Sequence, residues 1–296
     1  MISKAIAMCA LLATSVNSRS WKESTVGDMT IYSNAPDDDN YSKVVILLHG
    51  GSKGPAEWRD LMQTDRAQAL KKRLDHSKIK YIAPKATHAG NKWYVPTGTS
   101  GCGINDVCYY DTASVSTSGD QLKAVVDAEK TAKGWSNSDN VIVAGFSEGG
   151  NMAAYLQLAK MTERLKAVIV LNGYPVPPLL SMPDETEAVA RGKVSYRGSD
   201  MRWMLMYGGQ DGTFPAQAAK EKFKNILDKL GATDAVKINE VEEEAGHDYT
   251  DNGLTNMGSF IEGEDTYTFE AAEDGSKVLM ASMVSSILIA SIGSFI

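Results

Sequence analysis

Apolar positions along this chain come in short runs that do not alternate with polar ones. They are KVVILLHGG from Lys43 to Gly51, KIKYIAP up to Pro84, NVIVAGFS up to Ser147, KAVIVLNGY up to Tyr174 and RWMLMYGGQD up to Asp211. A strand that is apolar on both faces is buried on both faces. Between these runs lie stretches with helical spacing. AEWRDLMQTDRAQALKKRL places Trp58, Leu61, Met62 and Ala69 near one face, and SGDQLKAVVDAEKTAKG closes at Gly134. GGNMAAYLQLAKMTERL and PAQAAKEKFKNILDKLG, the latter ending at Gly231, are two more. MTIYS from Met29 reads as an edge strand and AVKINEVE as the last strand. Buried strands alternating with helices predict one doubly wound α/β domain, with a mostly parallel sheet and helices on both faces. The polar stretch from Lys85 to about Ser116 reads as an insertion over one edge of that sheet.

Both ends stand apart from this pattern. Lys4 precedes an uncharged apolar run from Ala5 to Val16, and small residues lead to Ser18. That is the layout of a secretory signal peptide over residues 1–18, and the run is too short to span a bilayer. The final stretch, Val278 to Ile296, is uncharged and apolar on every face. Three readings of it stay open: a core helix, a spanning helix, or the removable signal for a glycolipid (GPI) anchor over residues 276–296, attached near Asp274-Gly275-Ser276. The spacer there is little more than Lys277, where about 8–12 polar residues are expected. The catalytic domain is then expected to occupy residues 19–275, in a protein secreted or held at the cell surface, with membrane association only through the anchor.

Composition narrows the classes. Of 296 residues, 43% are hydrophobic and 23% charged, as in ordinary globular domains. A net charge of -7 and an isoelectric point near 5.2 argue against nucleic-acid binding, which needs a basic face. Cys9 falls in the signal segment, leaving Cys102 and Cys108, which could pair in an oxidising compartment. Two cysteines without clustered histidines give no metal site, and no cofactor is expected. Asn40-Tyr41-Ser42 is a glycosylation sequon, a short pattern frequent by chance.

In an open parallel sheet, function gathers at the carboxyl ends of the strands. Ser147 ends one strand inside Gly145-Phe146-Ser147-Glu148-Gly149, a G-x-S-x-G turn set between strand and helix. Asp211 follows another strand end, and His247 follows the last strand. A serine hydroxyl needs a base to become nucleophilic. Imidazole titrates near neutrality and serves as that base, and a carboxylate fixes its tautomer. The order Ser, Asp, His is that of the α/β-hydrolases. The expected oxyanion donors are the N–H groups of Glu148 and Gly51. His49 is expected to shape the loop that carries Gly51. His88 is a weaker candidate for substrate contact. Trp93 and Tyr94 either line the pocket or pack the insertion. Glu242, Glu243 and Glu244 compete with Asp211 as the acid, although a charged run is usually a solvated face.

These motifs resemble the acyl-protein thioesterase and carboxylesterase/phospholipase group of α/β-hydrolases. The resemblance rests on Leu48-His49-Gly50, on Ala83-Pro84 followed by Trp93-Tyr94, and on Gly145 to Gly150 with Glu148 where the group has Gln. It continues through Gly208, Asp211 and Pro215, with Phe214 for Val, to Gly246-His247, and covers roughly Val44 to Tyr249. It implies hydrolysis of acyl esters or thioesters, small-molecule or lipid, through an acyl-serine intermediate. The longer loop through Cys102 and Cys108 and the tail after Thr250 depart from the group's pattern. The rival reading is a surface binding protein that kept the fold without turnover. A peptidase or a polyester depolymerase is the nearer alternative among enzymes.

Overall fold

The computed structural model describes residues 20–64, 70, 74, 76–97, 110–183, 196, 200–265 and 267. The signal segment, Cys102, Cys108 and the apolar C-terminal stretch lie outside the described residues. Among the described residues no helix is long and apolar enough to cross a membrane.

Eight strands form one sheet: β1 (Lys22–Val26), β2 (Met29–Asn34), β3 (Lys43–Leu48), β4 (Ile79–Pro84), β5 (Val141–Phe146), β6 (Ala167–Leu171), β7 (Arg202–Gly208) and β8 (Val236–Glu242). Their spatial order is β1-β2-β4-β3-β5-β6-β7-β8. The pairs β1–β2 and β2–β4 are antiparallel, and every other pair is parallel. The helices are α1 (Ala56–Leu61), α2 (Thr112–Lys133), α3 (Glu148–Tyr155), α4 (Pro177–Leu180), α5 (Ala216–Lys229) and α6 (Asp251–Glu262).

The unbroken apolar strands serve two cores at once. In β3, Val44, Ile46 and Leu48 face one core, and Val45 and Leu47 the other. In β5, Val141 and Val143 face the first, and Ile142, Ala144 and Phe146 the second. Period-2 alternation therefore divides apolar residues between two dry faces. The first core is closed by Leu122, Val125 and Val126 of α2, Met152 of α3 and Phe223 and Leu227 of α5. The second is closed by Trp58 of α1 and by Leu254, Met257 and Phe260 of α6.

Four expectations are corrected. The Met29 strand, expected at the edge, is flanked on its outer side by β1, which is almost wholly exposed and carries no apolar run to announce it. Helix α2 starts at Thr112, inside the stretch read as loop, because the Asp111 carboxylate accepts from the N–H groups of Ala113 and Ser114 and caps it. The stretch after Thr250 is not a departure but helix α6, capped by the Thr250 hydroxyl, which accepts from Gly253 N–H. The described part of the insertion packs at the centre of the sheet, not over an edge: the Trp93 indole N–H donates to the carbonyl of His49, just beyond β3.

Arg202, at the start of β7, pins α6 in place. Its guanidinium donates to the carbonyls of Phe260 and Glu264 (2.7 Å each) and to the Asp265 carboxylate, and lies over the Phe260 ring. Hydrogen bonds to a charged group contribute about 1.5–3 kcal/mol each, less where solvent reaches them. Arg202→Met is expected to lower unfolding free energy by about 2–4 kcal/mol in denaturant titration. A loss below about 0.5 kcal/mol would show that α6 is held by its apolar face alone.

Candidate active site

The turn after β5 is governed by backbone crowding. A Cβ on Gly145 would strike the backbone of Gly149 and Gly150, and one on Gly149 would strike Leu48 and His49. The chain turns through Ser147 at φ 55° and ψ -123°, a conformation costly for a side chain and persistent only where its surroundings hold it. Two backbone hydrogen bonds do so: Ser147 N–H donates to the carbonyl of Leu171 (2.9 Å), and Asn151 N–H donates to that of Ser147 (3.0 Å). The hydroxyl is thereby raised above the sheet at the start of α3.

The structure brings the three predicted side chains together. His247 Nε2 lies 2.8 Å from Ser147 Oγ, and Nδ1 lies 2.6 Å from Asp211 Oδ2. The other Asp211 oxygen accepts from the N–H groups of Thr213 (2.7 Å) and Phe214 (2.9 Å), which fixes the carboxylate from behind. The Asp211 side chain is 2% exposed and that of His247 23%, so the imidazole meets solvent while its carboxylate does not. The ring sits between Phe146 (centroids 5.0 Å) and Phe214, which meets it edge-on (5.6 Å, 72°). Phe146 stacks in turn on Tyr249 (4.2 Å). The rival acids are engaged elsewhere: Glu242 accepts from the Thr250 hydroxyl and Glu244 from the Gln210 amide.

Two residues that the sequence did not single out complete this framework. Asn172, in the left-handed region at φ 50°, accepts from Gly208 N–H (2.7 Å) and donates to the carbonyl of Asp248 (2.9 Å). One side chain thus ties the end of β7, just before Asp211, to the loop that bears His247. Backbone bonds from Gly209 N–H to Glu242 and from Gln210 N–H to Ala245 (2.8 Å each) join the same two segments. Glu57 of α1 accepts from Gly50 N–H at 2.6 Å and lies beside the Tyr249 hydroxyl without a well-formed bond to it. Burial raises the Glu57 carboxyl above the usual carboxylate range. The available signals were an Asn ending an apolar run at the strand-end rim, and an acid at the start of the helix after His-Gly-Gly.

The loop Leu48–Gly51 has its peptides clamped in turn. The peptide between His49 and Gly50 gives its N–H to Glu57 and its carbonyl to the Trp93 indole (2.7 Å). His49 is buried, and its Nε2 accepts from Ala86 N–H (3.2 Å), so its proton stands on Nδ1 and is donated to the carbonyl of Gly50 (2.8 Å). Gly54 N–H lies 3.2 Å from that nitrogen and is the weaker claimant. A trans peptide holds C=O and N–H on opposite sides. With the Gly50 carbonyl turned to His49, the N–H of Gly51 points away from that ring. Burial lowers the His49 pKa to about 4.

The remaining candidates fall elsewhere. Trp93 and Tyr94 are 0% exposed and pack the insertion rather than lining a pocket. The Tyr94 hydroxyl accepts from the Asn151 amide (2.7 Å). His88 Nε2 faces the carbonyl of Ser114 (3.3 Å), and Asn40 is exposed. Among the described residues no group of three His, Cys, Asp or Glu side chains is placed to hold a metal.

A family model described as phospholipase/carboxylesterase matches residues 31–264. The chain belongs to the phospholipase/carboxylesterase family. Its match extends past Tyr249 through α6. The acyl-protein thioesterase 1 homolog 1 of Dictyostelium discoideum is 24% identical over 144 residues, 45% of this chain and 58% of that protein. The chain therefore covers less than two thirds of that relative. Among solved structures, acyl-protein thioesterase 2 of Zea mays has a TM-score of 0.59 at 17% identity, covering 78% of this chain and 97% of its own. A carboxylesterase from Mesorhizobium loti has a TM-score of 0.57 at 14% identity, covering 82% and 99%. Esterase PE8 has a TM-score of 0.57 at 22% identity, covering 78% and 96%. These likenesses show the α/β-hydrolase fold.

The buried His49 gives a pH prediction. The unfolded chain takes a proton on this residue near pH 6.5, and the folded protein only near pH 4. Stability from this source is complete above about 6.5 and is lost as pH falls toward about 4, a loss of about 3 kcal/mol. Denaturant unfolding across that range should show the decline, and His49→Gln should reduce it by this amount. Equal declines in both proteins would assign acid sensitivity to other groups.

Proposed function

We propose that this protein is a serine hydrolase of acyl esters or thioesters. The observation that carries the reading is the continuous chain from Ser147 Oγ to His247 Nε2 at 2.8 Å and from His247 Nδ1 to Asp211 at 2.6 Å. His247 removes the hydroxyl proton as Oγ attacks the acyl carbonyl, and Asp211 stabilises the imidazolium that forms. The same proton passes to the leaving alkoxide or thiolate. Water, deprotonated by His247, then releases the acid from the acyl-serine.

The oxyanion assignment is supported by the clamped loop and by the helix start. The N–H of Glu148 is among the first-turn donors that a helix leaves unpaired, and that of Gly51 is turned from the His49 ring. Loss of one such donor costs about 2.7–4 kcal/mol of transition-state stabilisation. Small carboxylic esters, lysophospholipids and acyl thioesters all fit this chemistry.

A fluorophosphonate probe should label the wild-type protein, and Ser147→Ala should abolish labelling and lower ester turnover by at least about a thousandfold. Labelling that persists in the variant would remove Ser147 from the mechanism.

The charge-poor segments at both ends support entry into the secretory route and retention by a glycolipid anchor. Phosphatidylinositol-specific phospholipase is expected to release the protein from intact cells. Retention, with Val278–Ile296 found in the mature chain by mass spectrometry, would reject the anchor.

A further inference from the structure

The oxyanion loop has a neighbour that the mechanism above does not use. The side chain of Glu148 does not extend into solvent but folds back along the loop. Its carboxylate presses so closely on Gly51 that a Cβ there would overlap Oε1 and approach the carboxyl carbon to 2.5 Å. Its Oε2 accepts from Trp93 N–H at 3.2 Å. One residue thus supplies a backbone donor toward the reacting carbonyl and a carboxyl group against the second donor. An ionised carboxylate in that place opposes negative charge on the substrate oxygen, whereas the neutral acid does not.

We propose that Glu148 is a positioning residue for the oxyanion hole: its carboxyl group props Gly51, and its ionisation weakens the hole. This rests on the serine-hydrolase reading. The geometry gives each half a cause. The prop comes from contact with Gly51 and the bond to Trp93, which a carboxyl oxygen accepts in either charge state. The brake comes from charge beside a site where charge develops, in surroundings that screen it weakly. Burial raises the Glu148 carboxyl above the ordinary range, and Lys92 opposes that rise. The other titratable groups coupled to it are the phenols of Tyr94 and Tyr110, both pushed further up by burial and both neutral through the working range. Lys92 is the one cation that this network sets against the carboxylate among the described residues.

Two substitutions separate the halves. Glu148→Gln keeps shape and acceptor and removes the charge. Glu148→Met removes both. Rates of fluorophosphonate labelling and of short-chain ester hydrolysis are measured from acid to alkaline pH, with thermal unfolding to confirm folding. Glu148→Gln should match wild type in acid, where Glu148 is protonated, and exceed it in kcat by about tenfold at alkaline pH, equal to one pKa unit of coupling. Glu148→Met should be slower than Glu148→Gln at every pH. A Gln profile that superimposes on wild type overturns the brake, and so does a Gln variant that is slower throughout. Met equal to Gln overturns the prop. Should wild type fail to label at Ser147, the hydrolase reading falls and this inference with it; labelling at Ser147 with indifferent Glu148 variants removes this inference alone.

Discussion

Everything at this site depends on a steric constraint with no side chain in it. Strand β5, helix α3 and the end of β3 cross so closely that neither Gly145 nor Gly149 has room for a single additional carbon. Close packing of backbone on backbone leaves Ser147 one route through the turn, with φ at 55°. The hydroxyl is held up by the shape of the chain, and the cost of the strained conformation is met by strands buried on both sides. Moving the crossing by even a methyl group would move the Ser147 hydroxyl, the first helical N–H and the loop beyond β3 together.

The rest of the site is a set of ties onto that crossing. His247 is held by aromatic rings on two sides and by a carboxylate whose remaining oxygen is already saturated with backbone donors. Asn172 and two backbone bonds join the segments that bear the acid and the base. Such redundancy suits the proposed mechanism, because general-base catalysis tolerates little misplacement. The loop beyond β3 follows the same logic: Glu57 and the Trp93 indole hold the peptide between His49 and Gly50, and the His49 ring holds the Gly50 carbonyl.

The strands were legible because their apolar runs are unbroken, and an unbroken run has one physical meaning when a sheet is covered on both faces. Ser147 and Asp211 were legible because each follows such a run, and His247 because it follows the last strand in the order Ser, Asp, His. Other features were not, for reasons that particular residues make plain. Strand β1, KESTV, is almost wholly exposed and carries no apolar run, so no pattern marks it. Helix α6, DNGLTNMGSFIE, carries two glycines and two asparagines that lower its helical preference, and tertiary burial of Leu254, Met257 and Phe260 overrides it. Trp93 and Tyr94 were ambiguous because an aromatic pair in a polar stretch looks the same whether it meets a ligand or the core. Glu57 is on an amphipathic turn where acids are ordinary, and only the folded chain shows its oxygen on Gly50.

The proposed oxyanion role of the loop beyond β3 sets a developing anion among acidic side chains. Two carboxyl groups flank it, Glu57 on the Gly50 side and Glu148 on the Gly51 side, with no cation bonded to either among the described residues. Were electrostatic attraction by charged side chains the basis of anion binding here, this arrangement would defeat it. On the proposed mechanism, stabilisation comes instead from oriented N–H dipoles, whose effect is short-ranged and directional. Such dipoles act only if their peptides cannot turn, and a buried acceptor behind a peptide is an effective way to stop it turning. The acids are thus tolerated for their geometry, and burial limits the harm by raising both carboxyls toward their neutral forms. The same burial keeps His49 neutral, so that it donates one bond and accepts another instead of adding a charge of its own. Net charge in this loop is traded for fixed direction.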